Sequence, residues 1–226
     1  MKNILFYFDI ISPYAWLAAM KAPDFAKQYK INLEWKPVLF AGLLKAYQNL
    51  GPAEIPAKRE YTIKDTMRWA LYEGLKYQGP PKHPFNPLKA LRFLTAIEDP
   101  QSLAQLSHRL LHAIWAEGLD PTQENNLLRL AQEKNLDGKK ILAQAQSQEI
   151  KERLSQNTQE AVRQKVFGVP SFVVDHEVFW GHDRMLHLAA YLKGKLNIDQ
   201  EKFKTILIRP RGIDRKEINP QNLLKN

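Results

Sequence analysis

Ser12 stands immediately before Pro13, between the apolar run Ile4-Leu5-Phe6-Tyr7-Phe8 and the segment Tyr14-Ala15-Trp16-Leu17-Ala18-Ala19-Met20. Serine is a favoured N-cap and proline a favoured first helical residue, so a helix is predicted to begin at this pair. The free N–H groups and dipole of a helix N-terminus stabilise negative charge, and Ser12 adds a hydroxyl donor there. In α/β folds the carboxyl end of a strand is also where ligands bind. Taken alone, the pair equally describes a plain helix cap. Further on, Val166-Phe167-Gly168-Val169-Pro170-Ser171-Phe172 sets Pro170 immediately before a strand; proline is tolerated at a strand's entry and a cis bond can occur there. Next comes Phe179-Trp180-Gly181-His182-Asp183-Arg184. Here Gly181 permits close backbone approach. Asp183, read as a helix N-cap, could also hold an ammonium group while helix N–H groups hold a carboxylate.

The chain contains no cysteine. Disulfides, protein thiolate nucleophiles and cysteine-based metal sites are therefore excluded. His108 and His112 are spaced i, i+4 and could share a metal, but Arg109 lies between them and no carboxylate completes a ligand set. An exposed helix face is the better reading of that pair.

The elements that must position these residues follow from pattern. Ile4 to Phe8 reads as a strand buried on both faces. Asn32 to Val38 alternates Leu33, Trp35 and Pro37 against Asn32, Glu34 and Lys36, a second strand after the first helix. From Leu43 to Asn157 apolar residues recur at helical spacing, as in Leu103, Leu106, Leu110 and Ile114, and Pro and Gly punctuate the stretch into several helices. Strand character returns at Ser171 to Val174 and Val178 to Trp180, followed by a helix over Asp183 to Lys193. Strands at both ends around an all-helical block predict an α/β domain formed from residues 1–42 and 158–196, with an inserted helical domain over 43–157.

The 226 residues carry 33 Lys and Arg against 24 Asp and Glu, a formal charge of +9. From Lys202 to Asn226 seven basic residues meet two acidic ones, so +5 of that total lies in a basic C-terminal tail, residues 197–226. The tail lacks a recognised nucleic-acid motif or interleaved aromatics, and no segment approaches membrane-spanning length. The opening apolar run is too short for a signal peptide core. These features point to a cytoplasmic protein that binds neither nucleic acid nor membrane.

Three stretches together carry a resemblance: Phe6-Tyr7-Phe8-Asp9-Ile10-Ile11-Ser12-Pro13-Tyr14, then Pro56-Ala57-Lys58-Arg59 with Arg68-Trp69-Ala70, then Val166 to Arg184. In that order they resemble the glutathione-dependent 2-hydroxychromene-2-carboxylate isomerase family, a relative of kappa-class glutathione transferases and DsbA-like oxidoreductases. The resemblance covers residues 3 to 194. It implies a thioredoxin-like domain with a large all-helical insertion, and glutathione as cofactor. Where the oxidoreductases carry Cys-x-x-Cys, this chain has Ser12-Pro13-Tyr14-Ala15, so any thiol must be borrowed.

Carried over residue by residue, the resemblance makes Ser12 the catalytic group, bonding the glutathione sulfur and favouring its thiolate. Val169 would pair its backbone with the cysteinyl unit. Asp183 would hold the γ-glutamyl ammonium, with Trp180, Gly181 and His182 lining the same corner. Asn49 and Lys58 would lie at the glycine end. The aromatic substrate would meet Tyr14, Phe85 and Asn86. The family's pocket lysine falls on Leu44, with Lys45 beside it as a substitute, and His182 stands where the family usually has Asn or Ser. Relatives are often dimers, so a homodimer is implied. A kappa-like transferase or peroxidase remains an alternative, as does a catalytically silent thioredoxin-fold binding module.

Overall fold

The structure is a computed structural model and describes residues 1–212. Its centre is a four-stranded sheet in the order β2-β1-β3-β4, built from β1 (Asn3–Phe8), β2 (Asn32–Pro37), β3 (Ser171–Val174) and β4 (Glu177–Trp180). β1 and β2 run parallel, joined across α1 (Pro13–Tyr29). β3 is antiparallel to β1, and β4 to β3. Ile4, Phe6, Tyr7 and Phe8 are fully buried, as the continuous apolar run predicts. Phe6 stacks on Phe172 with ring centroids 4.8 Å apart and meets the edge of Trp35 at 4.8 Å, so aromatic contacts tie β1 to both of its neighbours.

The strand pairing decides what lies near what. Tyr7 pairs with Ser171, and Ser171 with Trp180. The carboxyl end of β1, the start of β3 and the end of β4 therefore share one end of the sheet. Ser12, Pro170 and Gly181 come to that end although up to 169 positions separate them in the chain.

Between β2 and β3 the described chain is helical: α2 (Phe40–Ala46), a 3-10 turn at Pro52–Glu54, α3 (Pro56–Tyr72), α4 (Leu88–Thr95), α5 (Pro100–Glu117), α6 (Glu124–Glu133), α7 (Gly138–Gln144) and α8 (Gln148–Arg163). α8 continues unbroken through residue 157, where the sequence pattern places a border. Its Asn157 side chain donates to the Pro37 carbonyl at 3.2 Å and Thr158 accepts from Leu39 N–H at 3.0 Å. One apolar core runs from Phe6 and Trp16 through Leu91, Ile114 and Trp115 to Leu154, uniting sheet and helices.

Two local readings are corrected. The second strand ends at Pro37, one residue early, although the Val38 N–H still bonds the Phe8 carbonyl at 2.9 Å. The last helix of the domain does not start at Asp183. A 3-10 turn covers His182–Arg184, with Gly181 at its cap position, and α9 spans Met185–Leu192. Asp183 instead accepts from Arg184 Nη1 at 2.7 Å. Within the tail, α10 (Gln200–Leu207) is exposed throughout, and residues 213–226 lie outside the described chain. Among the described residues no helix is long and apolar enough to cross a membrane.

Candidate active site

Ser12 is the N-cap of α1 in extended conformation, with φ −92° and ψ 118°, and its hydroxyl accepts from Ala15 N–H at 3.2 Å. It is 8% exposed. The same hydroxyl donates to the Val169 carbonyl at 3.3 Å, across 157 positions of sequence. The Val169–Pro170 peptide is cis. That contact joins the two halves of the predicted site directly. A bond of this length is at the weak end of hydroxyl hydrogen bonding, so the proton is available to a better acceptor.

The third element closes the same corner. Gly181 N–H donates to the Pro170 carbonyl at 2.9 Å. Trp180 lies over Gly168 so closely that a Cβ on Gly168 would stand 2.6 Å from the indole nitrogen. At Gly181, φ is +111° and an added Cβ would meet Asp183 Oδ1 at 2.5 Å. The Gly181→Ala variant is expected to lose about 2 kcal/mol of stability, since this backbone region is open essentially to glycine. A urea midpoint equal to that of the wild type would contradict this account of the turn.

His182 turns its imidazole inward. It is 4% exposed, stacks on Tyr14 with centroids 5.4 Å apart, and abuts Trp69 edge-on at 4.5 Å. Burial pushes its pKa down to about 4, so the ring is neutral at physiological pH, and Nε2 is buried without a partner. Tyr14 donates from its hydroxyl to Asp65 Oδ2 at 2.9 Å, and burial followed by the Asp65 carboxylate raises its pKa. His182 therefore has its main chain, not its ring, to offer a ligand.

The remaining residues lie on other elements. Lys45, in α2, and Asn49, after it, are exposed; Asn49 Oδ1 accepts from Leu50 N–H at 2.9 Å. Lys58 is exposed in the first turn of α3. Phe85 is half-buried against the main core, and Asn86 is engaged in starting α4, accepting from Leu88 N–H at 3.0 Å. Of these, Phe85 reaches the Ser12 corner through His83, their ring centroids 6.4 Å apart and His83 Nε2 3.1 Å from the Ile11 carbonyl. A cavity of about 670 Å³ beside α3 is lined by Pro56, Arg59, Ile63 and Met67 among others. His112 bonds Glu117 at 3.0 Å and Arg109 bridges Glu117 and Glu133. The described residues contain no group of three His, Asp or Glu placed to hold a metal.

Three groups around Ser12 were not singled out by sequence. Asp9 is fully buried and accepts from Ile11 N–H at 3.0 Å and Phe40 N–H at 2.8 Å. Trp115 Nε1–H donates to the Ile10 carbonyl at 3.0 Å. His83 Nε2 lies 3.1 Å from the Ile11 carbonyl. Only Asp9 left a signal, a charged residue ending an apolar strand.

Residues 3–193 match the DSBA-like thioredoxin domain. The chain belongs to that family. It is 30% identical over 198 residues to the 2-hydroxychromene-2-carboxylate isomerase of Sphingobium xenophagum, covering 84% of this chain and 98% of that one. It is 31% identical over 207 residues to glutathione S-transferase kappa 1 of Rattus norvegicus, covering 84% and 89%. A solved structure of 2-hydroxychromene-2-carboxylate isomerase superposes with a TM-score of 0.79 at 23% identity, over 92% of this chain and all of the other. The DsbA-like fold with its helical insertion is thus established, with a family member that carries no cysteine.

Proposed function

We propose that this protein is a glutathione-dependent isomerase of the 2-hydroxychromene-2-carboxylate type, acting on a small aromatic-derived substrate. The observation that carries this reading is the Ser12 hydroxyl, at a helix N-terminus and 3.3 Å from the carbonyl that precedes a cis proline, in a chain without cysteine. The corner suits a bound thiol. A hydroxyl donor and helix N–H groups favour a thiolate. When the Ser12 proton swings to the sulfur, the Val169 carbonyl is released to accept from a cysteinyl N–H, as an added strand would pair.

Bound there, glutathione would supply a thiolate that adds reversibly to a conjugated carbon, letting the former double bond rotate before the thiolate leaves. The chain's own work is to hold and orient. Ser12 stabilises the sulfur's charge, Asp183 receives the γ-glutamyl ammonium with Trp180, Gly181 and His182 around it, and Asn49 and Lys58 meet the glycine end. The cavity beside α3 has Arg59, Ile63 and Met67 in its lining, groups suited to an aromatic carboxylate; the resemblance assigns Tyr14, Lys45, Phe85 and Asn86 to the same substrate. Glutathione is kept reduced in the cytoplasm, and we place the activity there, as a homodimer.

Millimolar glutathione is expected to raise the melting temperature by roughly 5–10 °C if it reaches about 100 times its Kd, where binding adds about 2.7 kcal/mol. No shift would favour a silent binding module. The 31% identity to the rat kappa enzyme supports a second reading, conjugation or peroxide reduction. Glutathione consumed one for one in a conjugate, or two for each peroxide reduced, would select it; glutathione recovered unchanged selects the isomerase.

A further inference from the structure

We propose that His83 is a positioning residue that aims the Ser12 hydroxyl by clamping the peptide group between Ile11 and Ser12. This deepens the function proposed above and rests on it. The Ile11–Ser12 peptide is gripped at both ends. Its carbonyl oxygen faces His83 Nε2 at 3.1 Å, and its N–H, that of Ser12, donates to the Asp9 carbonyl at 3.1 Å. A peptide group is a rigid plane, so gripping both ends sets its rotation about the chain. That rotation fixes the φ of Ser12, and with it the direction of the Cα–Cβ bond that carries the hydroxyl.

The donor's identity follows from its partner. A carbonyl oxygen can only accept, so Nε2 carries the proton, and the neutral ring leaves Nδ1 bare. Burial, joined by the nearby Arg59 charge, holds the His83 pKa below its ordinary value and keeps the ring neutral. The ring is also fixed in place, its centroid 5.3 Å from that of Trp115 and 6.4 Å from that of Phe85. Trp115 holds the preceding carbonyl, that of Ile10, at 3.0 Å. Two consecutive carbonyls before Ser12 are thus held by side chains of the helical insertion. The insertion does more than cover the sheet: it sets the geometry of the turn from which the proposed chemistry proceeds. Misplacing a reacting group by an ångström can cost large factors in rate while leaving binding almost intact.

The test uses two polar variants that differ in reach. His83→Gln carries its amide nitrogen four bonds from Cα, as Nε2 is; His83→Asn carries it three bonds away and falls short of Ile11. His83→Asn is expected to lower kcat on the order of tenfold with little change in KM for glutathione. The thiolate absorbance of bound glutathione should titrate about one pH unit higher in that variant. His83→Gln should stay within about threefold of wild type in kcat, with an unshifted titration. Equal behaviour of the two variants, whether both impaired or both normal, overturns the proposal while the glutathione reading stands. Wild-type protein that fails to bind glutathione at all overturns both.

Discussion

Replacing Ser12 with alanine is expected to lower turnover at saturating glutathione about 10- to 100-fold, while stability falls by only about 1 kcal/mol. The two effects come from two separate jobs of one oxygen. As N-cap the oxygen accepts from Ala15 N–H, an interaction of ordinary cap strength. As donor it points at the Val169 carbonyl, a bond that at 3.3 Å is already weak and whose loss costs little. With a thiolate in place the same proton would face a full negative charge. Hydrogen bonds to charged groups contribute roughly 1.5–3 kcal/mol, which corresponds to the stated range of rates.

A second readout separates this from a general loss of order. The bound thiol should titrate about one to two pH units higher in Ser12→Ala, because each unit corresponds to ~1.36 kcal/mol of charge stabilisation. Glutathione affinity should change little, since its termini are held elsewhere. An alanine variant with wild-type turnover and an unshifted thiolate titration would remove Ser12 from the chemistry.

Much of this corner was legible because its signals are local. Ser-Pro before an apolar helical segment marks the start of α1, and a proline ahead of Ser171-Phe172-Val173-Val174 marks the start of β3. What links them is the antiparallel register of Tyr7 with Ser171, which the apolar runs permit but do not dictate. At His182–Arg184 the sequence points to a helix starting at Asp183 because aspartate is a favoured N-cap residue. The positive φ of Gly181 and the Arg184 contact decide otherwise. Asn86, assigned to the substrate by the resemblance, also accepts from Leu88 N–H at 3.0 Å. His83 and Trp115 were invisible for a different reason. They act on Ile11 and Ile10 from 72 and 105 positions away, and His83 sits in a Gly-Pro-rich connection that has no periodicity to read.

Asp9 is expected to make the protein less stable as pH rises from about 4 to about 7, by on the order of 4 kcal/mol, and Asp9→Asn to remove that dependence. Burial pushes the Asp9 pKa up to about 7, only partly offset by the N–H groups of Phe40 and Ile11. In the unfolded chain the carboxyl titrates near its ordinary 3.8. Between those values the folded state holds a proton that the unfolded state has released. Stability from this group is therefore fully present below about 4, declines through the interval, and is gone above about 7. Other carboxylates, such as Glu117 and Asp120, have lowered pKa values and work in the opposite sense, chiefly below pH 4. The informative quantity is thus the wild-type stability minus that of Asp9→Asn, measured by urea unfolding at several pH values. At every pH the amide leaves one of the two buried N–H groups facing a donor, at a constant cost of about 1–3 kcal/mol. The difference should fall by about 4 kcal/mol from pH 4 to 7, changing sign on the way, and then level off. A flat difference across that interval would show that Asp9 is already ionised in the folded protein, with its two N–H partners outweighing burial.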